Sequence, residues 1–566
     1  MPRLRDIVAC VIHGHKSTSV KIKVGSKVGP TTNDKQVETR VEEVAVKEID
    51  PEDRANTIHV CSLGIVCVMG GQYYGWNAAF ATGFAPFAVS QIVMGCAYVV
   101  YMSCAAEICG KIAFSGGSYG LSRVTLGFYL GYMVGFLELL EYTACTSVSL
   151  LYVSRFVTVE FDLDQRLEPL IWLVYFVFVT SFFQLRGKIM WNFMVLLAVV
   201  CAVPAILFIF GALKFANLPK YGYYLDVDNK TRIWASGTMG SAYFAWLPYT
   251  TWAFAGVECL SLVTDMTVEP KVTIPRGMLS AVWVLFLFDV SLICLVPALA
   301  PGIATATKAD YLLNQGFAMA YGISDSLGAW LILPAQFGMA AGFTIPSARL
   351  VQALADSTLL PEWMGLKATG KGSMWKSLVF SAACSFVLCV LGYLSSDFSS
   401  ALQDVFILAA SFCYTAQIVG FILLRTTYKA ASDGYMSPYG IPGAVAAISV
   451  YGLLALSIIG GFQGDHGVAI CAMLVFVGIL TAYYYWACKD RQTISKDEYA
   501  SIFRFTIIKF NNIKKKAARN AKRKAIEKAK SSFLKRLLKV HPTTTTSQKS
   551  AQIGYNDVGI SKTKRR

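Results

Sequence analysis

Charge is what this chain has least of. Of its 566 residues only 15% are Asp, Glu, Lys or Arg, while 55% are hydrophobic; a soluble chain carries about a quarter charged residues. That scarcity excludes an ordinary soluble enzyme or binding module and predicts a polytopic membrane protein. Histidine is scarcer still, with five in all, and the 15 cysteines include no C-x-x-C pair. Neither a zinc site nor a disulfide framework is expected from such a set. Cys96, Cys104, Cys145, Cys201, Cys294, Cys384 and Cys471 sit in apolar runs and read as small packing residues. The start, with Arg3, Arg5 and Asp6, lacks the apolar core of a cleaved signal. No Ser/His/Asp or metal-hydrolase pattern occurs. Gly116-Gly117-x-x-Gly120 follows no strand, and Gly370-Lys-Gly-Ser373 lacks the spacing of a phosphate loop. No enzyme and no cofactor are expected.

The net charge of +16 is confined to one end. Residues 489–566 hold 22 Lys+Arg against 5 Asp+Glu, and the rest of the chain is close to neutral. Nucleic acid is therefore not an expected partner. Ile502, Phe503, Phe505, Ile507, Ile508 and Phe510 precede Lys514, Lys515, Lys516, Arg519, Lys522, Arg523, Lys524, Lys528 and Lys530. A basic, partly amphipathic helix next to a membrane is drawn to anionic lipid, which is the expected role of this tail. The alternative is a solvated tail for trafficking or docking. The Thr543–Ser547 run is low-complexity.

The organisation follows. Residues 1–56 are polar, mixed in charge and read as a mostly disordered cytoplasmic arm. Residues 57–487 form a membrane domain, and 488–566 the basic cytoplasmic tail. Twelve apolar spans fit the domain, at 57–83, 84–109, 124–156, 168–186, 189–213, 241–265, 277–300, 325–354, 377–395, 400–424, 441–462 and 466–487. With the N-terminus inside, the inner loops hold Lys111 and Arg123, Arg186 and Lys188, Lys271 and Arg276, Lys367, Lys371 and Lys376, then Arg425 and Lys429. Cytoplasmic loops are enriched in such residues, so both termini are expected in the cytoplasm, with the plasma membrane as the expected location. The 214–240 loop is the exception, but its Asn229-Lys-Thr231 glycosylation pattern suits the outside.

The first span is interrupted by Met69-Gly-Gly-Gln-Tyr-Tyr-Gly-Trp-Asn77. Gly70, Gly71 and Gly75 each cost roughly 1 kcal/mol against Ala inside a helix, and non-helical backbone at this depth is tolerated only beside a cavity. A transporter binding site is the expected reason; a small-residue packing patch is the alternative. The sixth span repeats the pattern at Ala255-Gly256, followed by Glu258 and Asp265. Interruptions in spans 1 and 6 are what an inverted repeat of five helices plus five predicts. The third span carries Gly127, Gly131 and Gly135, spaced for close helix approach. At 100° per residue Glu138 falls within their arc, and Glu141 about 60° from it. A charge at bilayer depth is by default functional.

Together these residues resemble a known family. Gly116-Gly117-Ser-Tyr119, Phe254-Ala-Gly256-Val-Glu258, Ile274-Pro275-Arg276-Gly277 and Leu354-Ala-Asp356-x4-Pro361 are similar to motifs of the amino acid-polyamine-organocation transporters, across about 57–487. Gly71-x-Tyr73-Tyr74-Gly75-Trp76-Asn77, Glu138-x-x-Glu141-Tyr142 and Ser437-Pro438-Tyr-Gly440-x-Pro442-Gly443 most resemble the ethanolamine permease branch. The resemblance implies an all-α fold, alternating access around spans 1 and 6, and a small amine substrate such as ethanolamine. Gly70, Gly71, Gln72, Tyr73, Gly75, Trp76, Asn77, Glu138, Glu141, Trp252 and Gly256 are then expected at the substrate. Glu258, Asp265 and Arg276 are expected in proton transfer or gating. Relatives that carry amino acids hold the carboxylate on free amides at the break of span 1, where bulky side chains stand here. Glu269 replaces the family's Asn and Ala355 its Arg, so a neutral or cationic amino acid stays as a competing substrate, and a non-transporting sensor as a second alternative. A proton or sodium is the expected co-substrate, with the proton preferred because Thr344 and Ser347 suit sodium only loosely.

Overall fold

Twelve segments of the chain run through a single helical bundle. The computed structural model describes residues 51–112, 116–185, 187–225, 231–365, 374–428, 434–465, 467–494 and 496–539. Among the described residues nine helices are long and apolar enough to cross a membrane. They are span 2 (Phe84–Lys111), span 3 (Phe128–Glu160), span 5 (Gly187–Ala212), span 7 (Pro270–Leu295), span 8 (Asp325–Asp356), span 9 (Trp375–Leu394), span 10 (Ser396–Leu423), span 11 (Gly440–Ile459) and span 12 (Val468–Tyr483). The other three spans expected from sequence are shorter, for physical reasons. Span 1 is helical only over Thr57–Tyr73 and resumes as a tight 3-10 turn at Trp76–Thr82. Span 4 is the 15-residue helix Glu168–Phe182. Span 6 never forms a continuous α-helix: Pro248 and Gly256 divide it into tight turns that end with Val257–Met266.

The bundle is ordered by pairs. The two most extensive helix contacts join spans five apart, 3 with 8 and 2 with 7, and spans 7 and 8 both also pack on span 1. That is the pairing an inverted five-plus-five repeat brings together. Spans 11 and 12 stand outside it and are little buried. Their exposed Leu453, Leu456, Leu474, Val475 and Ile479, like Leu170, Val174 and Val177 of span 4, form the apolar surface that a bilayer covers.

Several expectations are corrected. Gly127 does not belong to the third span: it has φ 101° and separates that span from a short helix, Gly117–Leu126. Gly131 and Gly135 do allow close approach, but to Arg123 and Tyr119 of this short helix and to Leu354 of span 8. Of the arm predicted over 1–56, residues 51–56 are described and placed. Asn56 caps span 1, and Ala55 forms a parallel bridge with Thr267 at the end of span 6, through Ala55 N to Met266 O at 2.7 Å and Val268 N to Ala55 O at 2.9 Å. In the 214–240 loop, Tyr224–Leu225 pairs antiparallel with Arg232–Ile233; Asn229 lies outside the described residues, as do Ser115, Arg186, Lys367, Lys371, Lys429 and Thr543–Ser547. The basic tail contains one helix, Lys496–Lys539.

Gly71 marks the closest contact between the two broken spans, since a Cβ there runs into the Trp252 backbone. Backbone cannot swing aside as a side chain does, so Gly71→Ala should cost about 1–3 kcal/mol as overpacking. Gly478, with no atom near its Cβ position, is the control. Thermal unfolding in detergent should show a lower midpoint for Gly71→Ala and none for Gly478→Ala; equal midpoints refute the close packing.

Candidate substrate site

The helix of span 1 runs straight through Gly70 and Gly71 and stops four residues later than the first glycine suggests. Tyr74 is extended (φ −132°, ψ 135°) and Gly75 left-handed (φ 83°). Span 6 turns at Gly256 with the same sign (φ 97°), where a Cβ collides with the Phe343 ring. Only glycine takes this conformation at little cost. Gly70 and Gly71 serve packing, against Met339 and Gln336 of span 8 and Trp252 of span 6 respectively, while Gly75 and Gly256 make the breaks.

Three carboxyl groups meet beside the break in span 6. Glu138, Glu141 and Glu258 are all at least 99% buried, and among the described residues none forms an ion pair. Glu141 Oε1 accepts from Tyr414 Oη at 2.6 Å, Glu138 Oε1 from Gln417 Nε2 at 2.9 Å, and Glu258 Oε2 from the Gly256 amide at 3.1 Å. The other oxygens, Glu138 Oε2, Glu141 Oε2 and Glu258 Oε1, are buried without a hydrogen-bond partner. Tyr98 and Tyr101 of span 2, Tyr414 of span 10 and Tyr451 of span 11 pack ring to ring around them, with centroids 4.9 to 6.4 Å apart. Tyr101 donates to Gln417 Oε1 at 2.8 Å. These tyrosines and Gln417 were not singled out from sequence. Their signal was present as polar aromatics three apart in an apolar helix, Tyr98 and Tyr101, and as the Tyr414–Gln417 pair on one face.

Two cavities flank the carboxyl groups. The larger encloses about 530 Å³, part of it continuous with the outside, between Gly71 and Tyr74 of span 1, Cys145, Val148 and Tyr152 of span 3, Trp252 and Ala255 of span 6, Gln336 and Met339 of span 8, and Gln403 and Phe406 of span 10. The other, of about 360 Å³, is lined by Gly117, Ser118, Ser261, Thr264 and Gln417 among others. Cys145 lies one turn beyond Glu141, and Glu258 falls between Ala255 and Ser261. Tyr74 Oη, Trp252 Nε1 and Gln336 Oε1, on walls of the larger cavity, are buried without a protein partner.

The polar side chains expected at the substrate divide into two sets. Trp252 does line the cavity, beside Tyr74, which was not among the residues expected there. Gln72 instead donates to Ala253 O at 3.0 Å and Leu285 O at 3.2 Å. Trp76 donates to Gln72 O at 2.9 Å and stacks on Phe87. Asn77 holds Ala306 O and Ala309 O, both at 2.8 Å. The Tyr73 hydroxyl enters the ladder of span 5 beside Pro204, donating to Cys201 O at 2.6 Å and accepting from Ala205 N at 3.0 Å. Of the gating set, Asp265 pairs with Arg349 of span 8, which sequence reading missed, and Arg349 Nη1 also donates to Gln352 Oε1 at 2.8 Å. Arg276 lies exposed on span 7 without an ion pair among the described residues.

A helical bundle with two facing breaks around buried carboxyl groups defines a membrane solute carrier. The chain belongs to the amino acid permease family, within the amino acid-polyamine-organocation superfamily, and the family's model matches residues 56–465. It is 20% identical over 449 residues to an uncharacterized transporter of Rhizobium meliloti, an alignment covering 76% of this chain and 90% of that protein. Over 87 residues it is 38% identical to the methylthioribose transporter of Bacillus subtilis, covering 15% of this chain and 19% of that one.

Tyr73 separates a bracing role from a binding role. In Tyr73→Phe the Ala205 amide and the Cys201 carbonyl lose their shared partner, and a buried unsatisfied group costs about 1–3 kcal/mol. The expected result is a lower thermal midpoint with substrate affinity unchanged. A change in affinity at constant stability assigns Tyr73 to the substrate instead.

Proposed function

We propose that this permease moves a small organic cation, such as ethanolamine, by alternating access around the breaks in spans 1 and 6. The observation that carries this reading is the Glu141–Glu258 pair. Two carboxyl groups buried in an apolar bundle, each with one oxygen lacking a partner, need a cation or a proton, and no Lys or Arg is paired with either among the described residues. An ammonium group provides the charge, and the Tyr98, Tyr414 and Tyr451 rings provide the π faces that replace its water. Tyr74 Oη, Gln336 Oε1 and Trp252 Nε1, all without protein partners, suit the substrate's hydroxyl better than Gln72 and Asn77, whose amide hydrogens are committed. The Gly256 amide is occupied by Glu258 Oε2, which disfavours a substrate carboxylate there.

A neutral or cationic amino acid remains the second reading, favoured by the family match. The Thr344 and Ser347 hydroxyls donate within span 8, and Ser347 accepts from Ser381 at 2.6 Å, which supports a proton over sodium as co-substrate, exchanged at Glu141 or Glu258. In this reading both termini face the cytoplasm at the plasma membrane. Residues 1–56 and 488–566 are appendages of the carrier domain, and the basic helix Lys496–Lys539 rests on anionic lipid, which contributes about 1 kcal/mol per basic residue near the surface.

The test is uptake by proteoliposomes of labelled ethanolamine, with amines and amino acids as competitors. Amines without a carboxylate should compete and alanine should not. Glu141→Gln should reach the membrane and weaken uptake on the order of 100-fold, the range for removing one partner of a buried charge pair. Carriage of lysine or alanine in place of ethanolamine moves the protein to the second reading. Binding without flux makes it a sensor, and wild-type affinity in Glu141→Gln removes that residue from the site.

A further inference from the structure

One more buried carboxyl group without an ion pair among the described residues stands apart from the three beside the break. Asp289 lies on span 7, 98% buried, and its Oδ1 accepts from Gln91 Nε2 of span 2 at 3.0 Å. The same Nε2 donates to Thr250 O, also at 3.0 Å. Thr250 belongs to the tight turns that precede the break at Gly256, two residues before Trp252 on the cavity wall. Four residues earlier on span 7, Leu285 O shares Gln72 Nε2 with Ala253 O. The irregular stretch Thr250–Ala253 is therefore hung on span 7 at two successive turns by two glutamine side chains. Only the tie at Asp289 contains a group that can change its charge.

Two atoms of that tie lack partners. Asp289 Oδ2 and Gln91 Oε1 are both buried and unpaired. A carboxylic acid and a primary amide pair through two parallel hydrogen bonds, the amide N–H to the acid carbonyl and the acid O–H to the amide oxygen. The first of these is the bond seen. One proton on Oδ2 makes the second and satisfies both orphaned atoms at once. Without that proton two acceptors stand beside each other in a dry interior, a costly arrangement. That repulsion weakens the hold of the Gln91 amide on Thr250. The groups acting on Asp289 are Gln91 from span 2 and Cys294 on its own helix. Spans 1, 5 and 6, which also pack on span 7, bring no titratable side chain against it among the described residues.

We propose that Asp289 is a proton-binding site, separate from Glu141 and Glu258, whose proton completes an acid–amide ring with Gln91 and so holds Thr250–Ala253 as a closed wall of the cavity. The proton comes from water and returns to water, and no covalent bond to carbon or nitrogen changes. Its effect on uptake rests on the carrier reading above; the site itself rests on the hydrogen bonds.

Asp289→Asn is the informative variant, because an Asn side chain pairs with Gln91 through the same two hydrogen bonds and cannot titrate. In proteoliposomes the variant should still carry substrate, while the pH dependence of KM becomes shallower by about tenfold per pH unit in the range where Asp289 titrates, the linkage of one proton. A pH profile identical to wild type overturns the proposal. The second measurement needs no substrate: wild-type protein is treated with dicyclohexylcarbodiimide, which modifies protonated carboxyl groups in apolar surroundings, and the adducts are located by mass spectrometry. Modification at Asp289 that declines as pH rises is the expected result. Absence of an Asp289 adduct at every pH overturns the proposal even where Asp289→Asn does not reach the membrane. An adduct at Asp289 in a protein that carries no amine leaves the site standing and removes only the proposed substrate.

Discussion

Lipid offers no hydrogen bonds, so every backbone group inside the bilayer must find its partner within the protein. A chain that interrupts two of its spans breaks this condition locally and must restore it with side chains. Gln91 reaches Thr250 O, Gln72 reaches Ala253 O, Gln336 donates to Gly70 O at 3.3 Å, and Trp76 covers Gln72 O. The same economy extends to the neighbours: Asn77 gathers carbonyls of the loop after span 7, and the Tyr73 hydroxyl fills the gap that Pro204 leaves in span 5. The irregular backbone beside the larger cavity is stable because side-chain amides and an indole from spans 1, 2 and 8 have been drawn in to complete it.

The carboxyl groups obey the same condition in stricter form. Each has one oxygen satisfied and one left bare: Glu138 by Gln417, Glu141 by Tyr414, Glu258 by the Gly256 amide, Asp289 by Gln91. Neutral donors of this kind hold a carboxyl group in place without cancelling its charge, as an arginine would. Arg349 shows the contrast, since it does pair with Asp265 at the end of span 6. These four acids keep no cationic partner among the described residues, whereas Asp265 and the buried Glu107 are paired with Arg349 and Arg425.

Much of the architecture was legible in the sequence. Twelve spans, their order and the two interruptions follow from hydropathy and glycine placement, because lipid selects for uninterrupted apolar stretches and makes every departure visible. The first break falls inside the Met69–Asn77 stretch read from sequence, at Gly75, but which of its glycines makes it was not legible. Gly70 and Gly71 look like helix breakers, but a glycine also answers the need for close packing, and the Trp252 backbone that fills the space over Gly71 comes from 181 residues away in the chain. The polar residues near the break were recognised as special, but not for their reason: which carbonyl Gln72 or Asn77 must satisfy is fixed only when spans 6 and 7 are in place. Arg276 was singled out on a local motif and Arg349 was not considered, because the partner of Asp265 is set by how span 8 crosses span 6. Glu138 and Glu141 were identified because two acids in an apolar helix need no tertiary information to stand out; the surrounding tyrosines did need it.

The bridge between Ala55 and Thr267 has a mechanical meaning. It ties the entrance of span 1 to the exit of span 6 by two backbone hydrogen bonds, while Gly71 and Trp252 are wedged together farther along. The two broken spans are fastened at two points and behave as one strut. A pull on the chain just before Ala55 is delivered to both legs together, so the segment leading into span 1 is mechanically joined to span 6 as well.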